Sequence, residues 1–303
     1  MADQEILYSV DALPPAKTLD KAVDVGVSKT NLDFLTTLTL AVLAGAFISL
    51  GAVFSTTVTA GAEGHLYYGA TRLLSGVAFS LGLILVVCAG AELFTGNNLI
   101  IMAAMSGKVT VQQLLRNWLI VFMGNFFGAL ATVVFIVLCR KHQLGEGAIW
   151  LNALNIGHSK NLEPFLTMFA RGIMGNALVC MAVWLSYSAR SMTDKILSII
   201  FPITAFVAAG FEHSVANMYF VPVAICAKAT APQSFWEQVG ATPADYPFLT
   251  WPDFFVKNLV PVTLGNMVGG VVLVGAVYWL AYKRGEGLKI TFRNHGRQNQ
   301  RPK

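Results

Sequence analysis

Residues 196–227 read ILSIIFPITAFVAAGFEHSVANMYFVPVAICA, an apolar run interrupted near its middle by Glu212-His213. A helix needs about 20 apolar residues to cross a bilayer, so this run is long enough to cross. An ionisable pair at bilayer depth is costly, and it marks a functional site. A second run, Leu73 to Gly107, carries the lone carboxylate Glu92, followed by Phe94-Thr95-Gly96-Asn97-Asn98. Two over-long stretches, each interrupted by polar residues at mid-depth, point to a transport path through a membrane.

Composition agrees. The chain is 55% hydrophobic and only 12% charged, whereas soluble domains carry about 25% charged residues. The net charge of +5 is concentrated after Tyr282, in Lys283, Arg284, Lys289, Arg293, Arg297, Arg301 and Lys303. Such a tail reads as a membrane-flanking cytoplasmic segment rather than a nucleic-acid site. The cysteines Cys88, Cys139, Cys180 and Cys226 lie in or beside apolar runs without CxxC spacing, and they read as small hydrophobes. His65, His142, His158, His213 and His295 show no ligand spacing, so neither a metal nor another cofactor is expected. No leading signal peptide is expected.

The fold class follows as an all-α membrane protein with six spans. These are Phe34–Ala62, the broken run Leu73–Gly107, Asn117–Cys139, Pro164–Ala189, the broken run Ile196–Ala227, and Phe254–Tyr282. Arg171 lies near enough to a span end to snorkel. Six spans put both termini on one side, with the basic loops 108–116 and 190–195, and the positive-inside rule makes that side cytoplasmic. The expected organisation is a cytoplasmic segment 1–30, a channel domain 31–285 in halves of about 31–140 and 160–285, and a basic tail 286–303.

An internal repeat supports the two halves. Asn117, Gly124, Asn125 and Gly128 recur as Asn258, Gly265, Asn266 and Gly269, at a constant offset of 141 residues. Each Gly-xxx-Gly pair permits close helix approach in lipid, and each buried amide demands partners or a polar cavity. With three spans per half, the second half enters from the other side, giving an inverted repeat whose broken helices build a site at the midplane. A half-helix beginning there points its positive end into the cavity and favours an anion. His213 would be the ionisable cation near the centre, with Thr95 and Asn266 as candidates to orient its ring. Phe79, Leu83, Leu93, Phe94 and Phe206 are candidate dry constrictions. Glu92 and Glu212 read as structural acceptors, and Asn217 is grouped with them.

The segments 91-AELFT-95, 208-AAGFEHSVANM-218 and 257-KNLVPVTLGN-266 resemble the formate/nitrite transporter family, with likeness running from about Ala16 to Tyr282. Closer detail, 79-FSLGLIL-85 and 188-SARS-191, is similar to its formate channels. The resemblance implies a homopentamer in the inner membrane, each protomer having an aquaporin-like fold and its own pore. It implies that His213 is the central histidine, Thr95 its threonine partner, and Asn266 the span-six asparagine. It further implies that Lys160 is the basic residue of the outer vestibule and Asn176 the span-four asparagine. Leu83 with Phe79 and Phe206 would narrow the outer side, and Leu93 with Phe94 the inner side. Arg171 departs from the apolar residue of some members.

The expected function is passive, pH-dependent passage of formate, with His213 supplying either a charge or a proton. Nitrite or hydrosulfide suits the same pore chemistry and remains open. An intramembrane serine hydrolase would need Ser80 or Ser75 within reach of His213, and no oxyanion site or third orienting group is evident. An aquaporin-type solute channel is weakened by the lack of paired Asn-Pro-Ala turns.

Overall fold

The computed structural model describes residues 10–140 and 144–292. Among these residues the chain is all-helical. Helix α1 (Pro15–Thr30) opens with a proline at its first position, where the missing N–H costs nothing. It is followed by α2 (Phe34–Val58), α3 (Tyr68–Ala89), α4 (Phe94–Met105) and α5 (Val111–Leu138). The second half repeats the pattern with α6 (Ala148–Lys160), α7 (Phe165–Ser188), α8 (Met192–Ala208) and α9 (Ser214–Thr230). A short α10 (Gln233–Val239) precedes the last long helix, α11 (Trp251–Glu286). Helices α2, α3, α5, α7 and α11 are long and apolar enough to cross a membrane, while α8 and α9 have 17 residues each.

Local chemistry sets the boundaries. Asp33 caps α2 by accepting from Thr36 N at 3.0 Å. Capping boxes start α5 (Thr110 with Gln113) and α8 (Ser191 with Asp194). The box at Thr110 explains why α5 begins six residues before the expected Asn117. The helix runs through Arg116, whose guanidinium reaches Leu32 O at 3.4 Å. Helix α6 has no counterpart among the sequence expectations, because its residues are too mixed to form an apolar run. The first break is also narrower than expected. Only residues 90–93 are non-helical, and Gly96 and Asn97 lie inside the resumed helix.

The repeated glycines sit where helices cross. A Cβ on Gly128 would overlap the Val42 carbonyl of α2, and one on Gly269 would overlap the Ile173 carbonyl of α7. Thus α5 lies on α2 and α11 on α7 at backbone distance, each within its own half. The halves interlock through α3 and α8. Gly76 meets the Thr204 backbone there, and Ser80 Oγ donates to Ile200 O at 3.4 Å.

Both described ends of the chain share one face. Leu13 N donates to Ser188 O at 3.1 Å, and Lys283 pairs with Asp20 at 2.9 Å. Residues 289–291 lie along the α4–α5 loop through Lys289 N to Met105 O (3.1 Å) and Val111 N to Thr291 O (3.0 Å). This face is called the terminal face below, and the other the opposite face.

Candidate functional site between two interrupted helices

Helix α8 stops because Gly210 adopts φ 73°, and Phe211 N turns back to Phe206 O at 3.2 Å. Helix α3 stops the same way at Gly90, φ 82°, with Ala91 N on Val86 O at 2.9 Å. This left-handed conformation is cheap only for glycine.

The residues after each break are held by the same side-chain set. In the first half, Asn125 donates to Glu92 O (2.9 Å) and accepts from Phe94 N (2.9 Å). In the second, Asn266 donates to Glu212 O (2.9 Å) and accepts from Ser214 N (2.8 Å). Each asparagine therefore satisfies backbone groups that the interruption leaves unpaired.

The two carboxylates are neutralised alike. Lys29 of α1 pairs with Glu92 at 2.7 Å, and Lys160 of α6 pairs with Glu212 at 2.7 Å. Asn97 donates to Glu92 (2.7 Å) and to Asn117 (2.9 Å); Asn217 donates to Glu212 (2.8 Å) and to Asn258 (2.8 Å). Buried carboxylates with a cation and an amide each are satisfied rather than idle. Lys29, Asn117 and Asn258 were not expected in these roles. The signal lay in the spacing, since Glu212 and Asn217 each follow Glu92 and Asn97 by 120 residues.

The halves differ at the centre. The offset of 120 that relates Glu92 to Glu212 places Leu93 opposite His213 and Thr95 opposite Val215. One imidazole and one hydroxyl thus meet across the repeat, with Thr95 Oγ1 and His213 Nε2 2.7 Å apart and both residues buried. His213 Nδ1 accepts from Ala216 N at 3.0 Å as the cap of α9. A backbone N–H can only donate, so Nε2 of the neutral ring carries the hydrogen and donates to Thr95.

A cavity of about 320 Å³ opens on the Lys160 side of this pair, and His213, Phe79, Phe206 and Glu212 line it. A second, of about 240 Å³, lies on the Lys29 side, bordered by Leu83, Leu93, Glu92 and Asn97. The imidazole therefore borders a void instead of being packed wholly among apolar side chains.

A family model described as formate/nitrite transporter matches residues 16–280. This chain belongs to that family. It is 43% identical to formate channel FocA of Escherichia coli K12 over 274 residues, 90% of this chain and 96% of that protein. A solved pentameric formate channel with formate bound superposes with TM-score 0.79 at 48% identity, covering 82% of this chain and 97% of the other. An ion channel of the family gives 0.72 at 27% identity, covering 88% and 98%.

Within the family chain, the other expected residues are placed as follows. Phe79 and Phe206 border the first cavity, with ring centroids 6.0 Å apart. Leu83, expected beside them, borders the second cavity together with Leu93. Phe94 is placed differently from expectation. It lines neither cavity, and its ring packs edge-on against Trp118 and Phe122. Asn266 does not orient the imidazole as expected, because its amide is used on Gly172 O, Glu212 O and Ser214 N. Asn176 is also held within the protein, donating to Thr95 O (3.3 Å), Asn98 (2.9 Å) and Asn266 O (2.7 Å). Arg171 borders the first cavity and pairs with Glu163 at 3.1 Å. The serines weighed as nucleophiles are engaged elsewhere, Ser80 with Gly76 O (2.9 Å) and Ser75 with Ser55 (2.7 Å).

Proposed function

We propose that this chain is a formate channel of the bacterial inner membrane, working as a homopentamer with one pore per protomer. The names of its relatives support the substrate and the assembly. In this reading α3 with α4, and α8 with α9, are the second and fifth of six spans, broken at mid-depth in an aquaporin-like inverted repeat. Residues 31–285 form the channel, with 1–30 and 286–303 on the cytoplasmic face. The terminal face is then cytoplasmic, and the Lys160 side opens outward.

The carrying observation is the Thr95–His213 contact between two cavities. A bare anion loses much hydration on leaving a cavity for the space beside Phe79, Phe206, Leu83 and Leu93. The Nε2–H of His213 is a directional donor at that point. A cationic ring would need a second N–H, at Nδ1, and that hydrogen would face the Ala216 N–H. Charging His213 therefore requires release of the cap of α9. Formate passes either beside a ring that has let go of Ala216, or as formic acid after taking a proton.

Replacing His213 with Phe tests this. Expected is loss of the pH dependence of formate uptake by proteoliposomes, with planar-bilayer current reporting whether charge moves. Uptake with an unchanged pH profile would overturn the role. Competition by nitrite and hydrosulfide in the same vesicles separates the related anions.

A further inference from the structure

Lys160 and Arg171 carry the obvious charges of the cavity on the opposite face, but both are spent. Lys160 lies 2.7 Å from Glu212, and Arg171 lies 3.1 Å from Glu163. A third cation lines the same cavity. Arg72 of α3 donates to the carbonyls of Val207 and, at 3.5 Å, Ala208, and makes no ion pair among the described residues. These carbonyls belong to the last turn of α8, which has no basic residue of its own. A helix C-terminus carries a partial negative charge, which repels an approaching anion.

Arg72 lies in the second turn of α3. Its use is visible across the interface. Ser80, Gly76 and Arg72 recur every fourth residue along one face of α3 and meet Ile200, Thr204 and Val207 of α8. The guanidinium sits just beyond the backbone contact, where the carbonyls of α8 open toward the cavity. The position related by the 120-residue offset is Met192, which cannot donate, so the matching end of α3 receives no cation from α8.

We propose that Arg72 is the capture residue for small carboxylate anions at the opposite-face mouth. It masks the carbonyl end of α8, and its remaining N–H groups and unpaired charge draw a monovalent anion into the cavity before the constriction. Lys160 instead balances Glu212. The inference rests on the anion-channel reading above.

The test is formate uptake and bilayer current in oriented preparations of the full pentamer, comparing the parent with Arg72→Met and Arg72→Lys. For Arg72→Met, half-saturation from the Lys160 side is expected to rise about tenfold, from the loss of a helix-end cation and a charge facing the ligand. Maximal flux should fall far less, and half-saturation from the terminal face should stay as in the parent. The parent's advantage should shrink with added salt, whose screening length is about 10 Å at 0.1 M. Arg72→Lys should recover most of the capture. An equal rise from both faces, or a lower maximum with unchanged half-saturation, would reduce Arg72 to a structural clamp and overturn the proposal. If Arg72→Met fails to assemble, Arg72→Lys decides. Near-parent half-saturation that keeps its salt sensitivity supports capture by charge, and a tenfold rise overturns it. A parent chain that carries no formate would defeat the channel reading itself, and this inference with it.

Discussion

At the scale of single residues, the site is a contrast between satisfied charges and one adjustable ring. Glu212 is buried against Lys160 and Asn217. Removing one partner of such a pair leaves an uncompensated charge, which costs about 3–5 kcal/mol, whereas removing both is far milder. Lys160→Met is therefore expected to lower the thermal stability of the purified protein strongly, and adding Glu212→Gln should restore much of it. Tryptophan-monitored melting of the single and double variants measures the difference. Thr95→Val tests the ring. The side chain is nearly isosteric but cannot accept from Nε2, and losing a buried hydrogen-bond partner costs about 1–3 kcal/mol. Formate flux should fall at least several-fold with the fold intact. A third residue, on a helix too short to cross the bilayer, gives a pH signature. His158 on α6 stacks on Phe248 and meets Tyr246 edge-on, and burial followed by the nearby Lys228 charge holds its pKa below the ordinary 6.5. The unfolded chain then binds the extra proton first, so this contribution to stability is complete above pH 6.5 and declines as pH falls below it. His158→Gln should flatten that part of the stability–pH curve, which melting curves between neutral and acidic pH would show.

At the scale of elements, the apolar runs, their interruptions and the glycine repeat were legible from spacing alone. Gly124/Gly128 and Gly265/Gly269 do mark the close crossings of α5 on α2 and α11 on α7. What spacing could not provide is direction. Phe94 reads as a pore residue in a linear sequence, yet its ring faces Trp118 and Phe122. Asn266 lies beside the imidazole in any motif argument, yet the broken backbone claims its amide first, because orphaned peptide groups in a membrane are dearer than a ring contact. Helix α6 was missed because its 13 residues are too few and too mixed to read as a span, although it places Lys160 beside Glu212. The stops are the simplest elements to test. Gly210→Ala places a Cβ in the left-handed region at about 1–2 kcal/mol. It should lower the melting temperature and broaden the pH profile, whereas Gly69→Ala, with open space around it, is the matched control.

At the scale of the molecule, the membrane class was plain from composition. The mirrored Lys–Glu–Asn–Asn sets were not, because each joins residues of three helices and of the turn between two helices. The charged tail was expected as a separate segment, yet its described part, to residue 292, pairs with the α4–α5 loop. Residues 293–303 lie outside the described residues. A chain ending at Glu286 should still fold, but amides around 105–111 should exchange with deuterium faster than in the parent. The partition of contacts between the halves also orders events during synthesis. Lys29, Glu92, Asn97 and Asn117 all emerge before residue 118, so their cluster can close while the ribosome is still at work. The link between Thr95 and His213 spans 118 positions and waits for the second half to be translated and inserted. A nascent chain stalled before α8 is therefore expected to hold its first carboxylate shielded while Thr95 stays open to water, a difference that site-directed labelling of arrested chains would register.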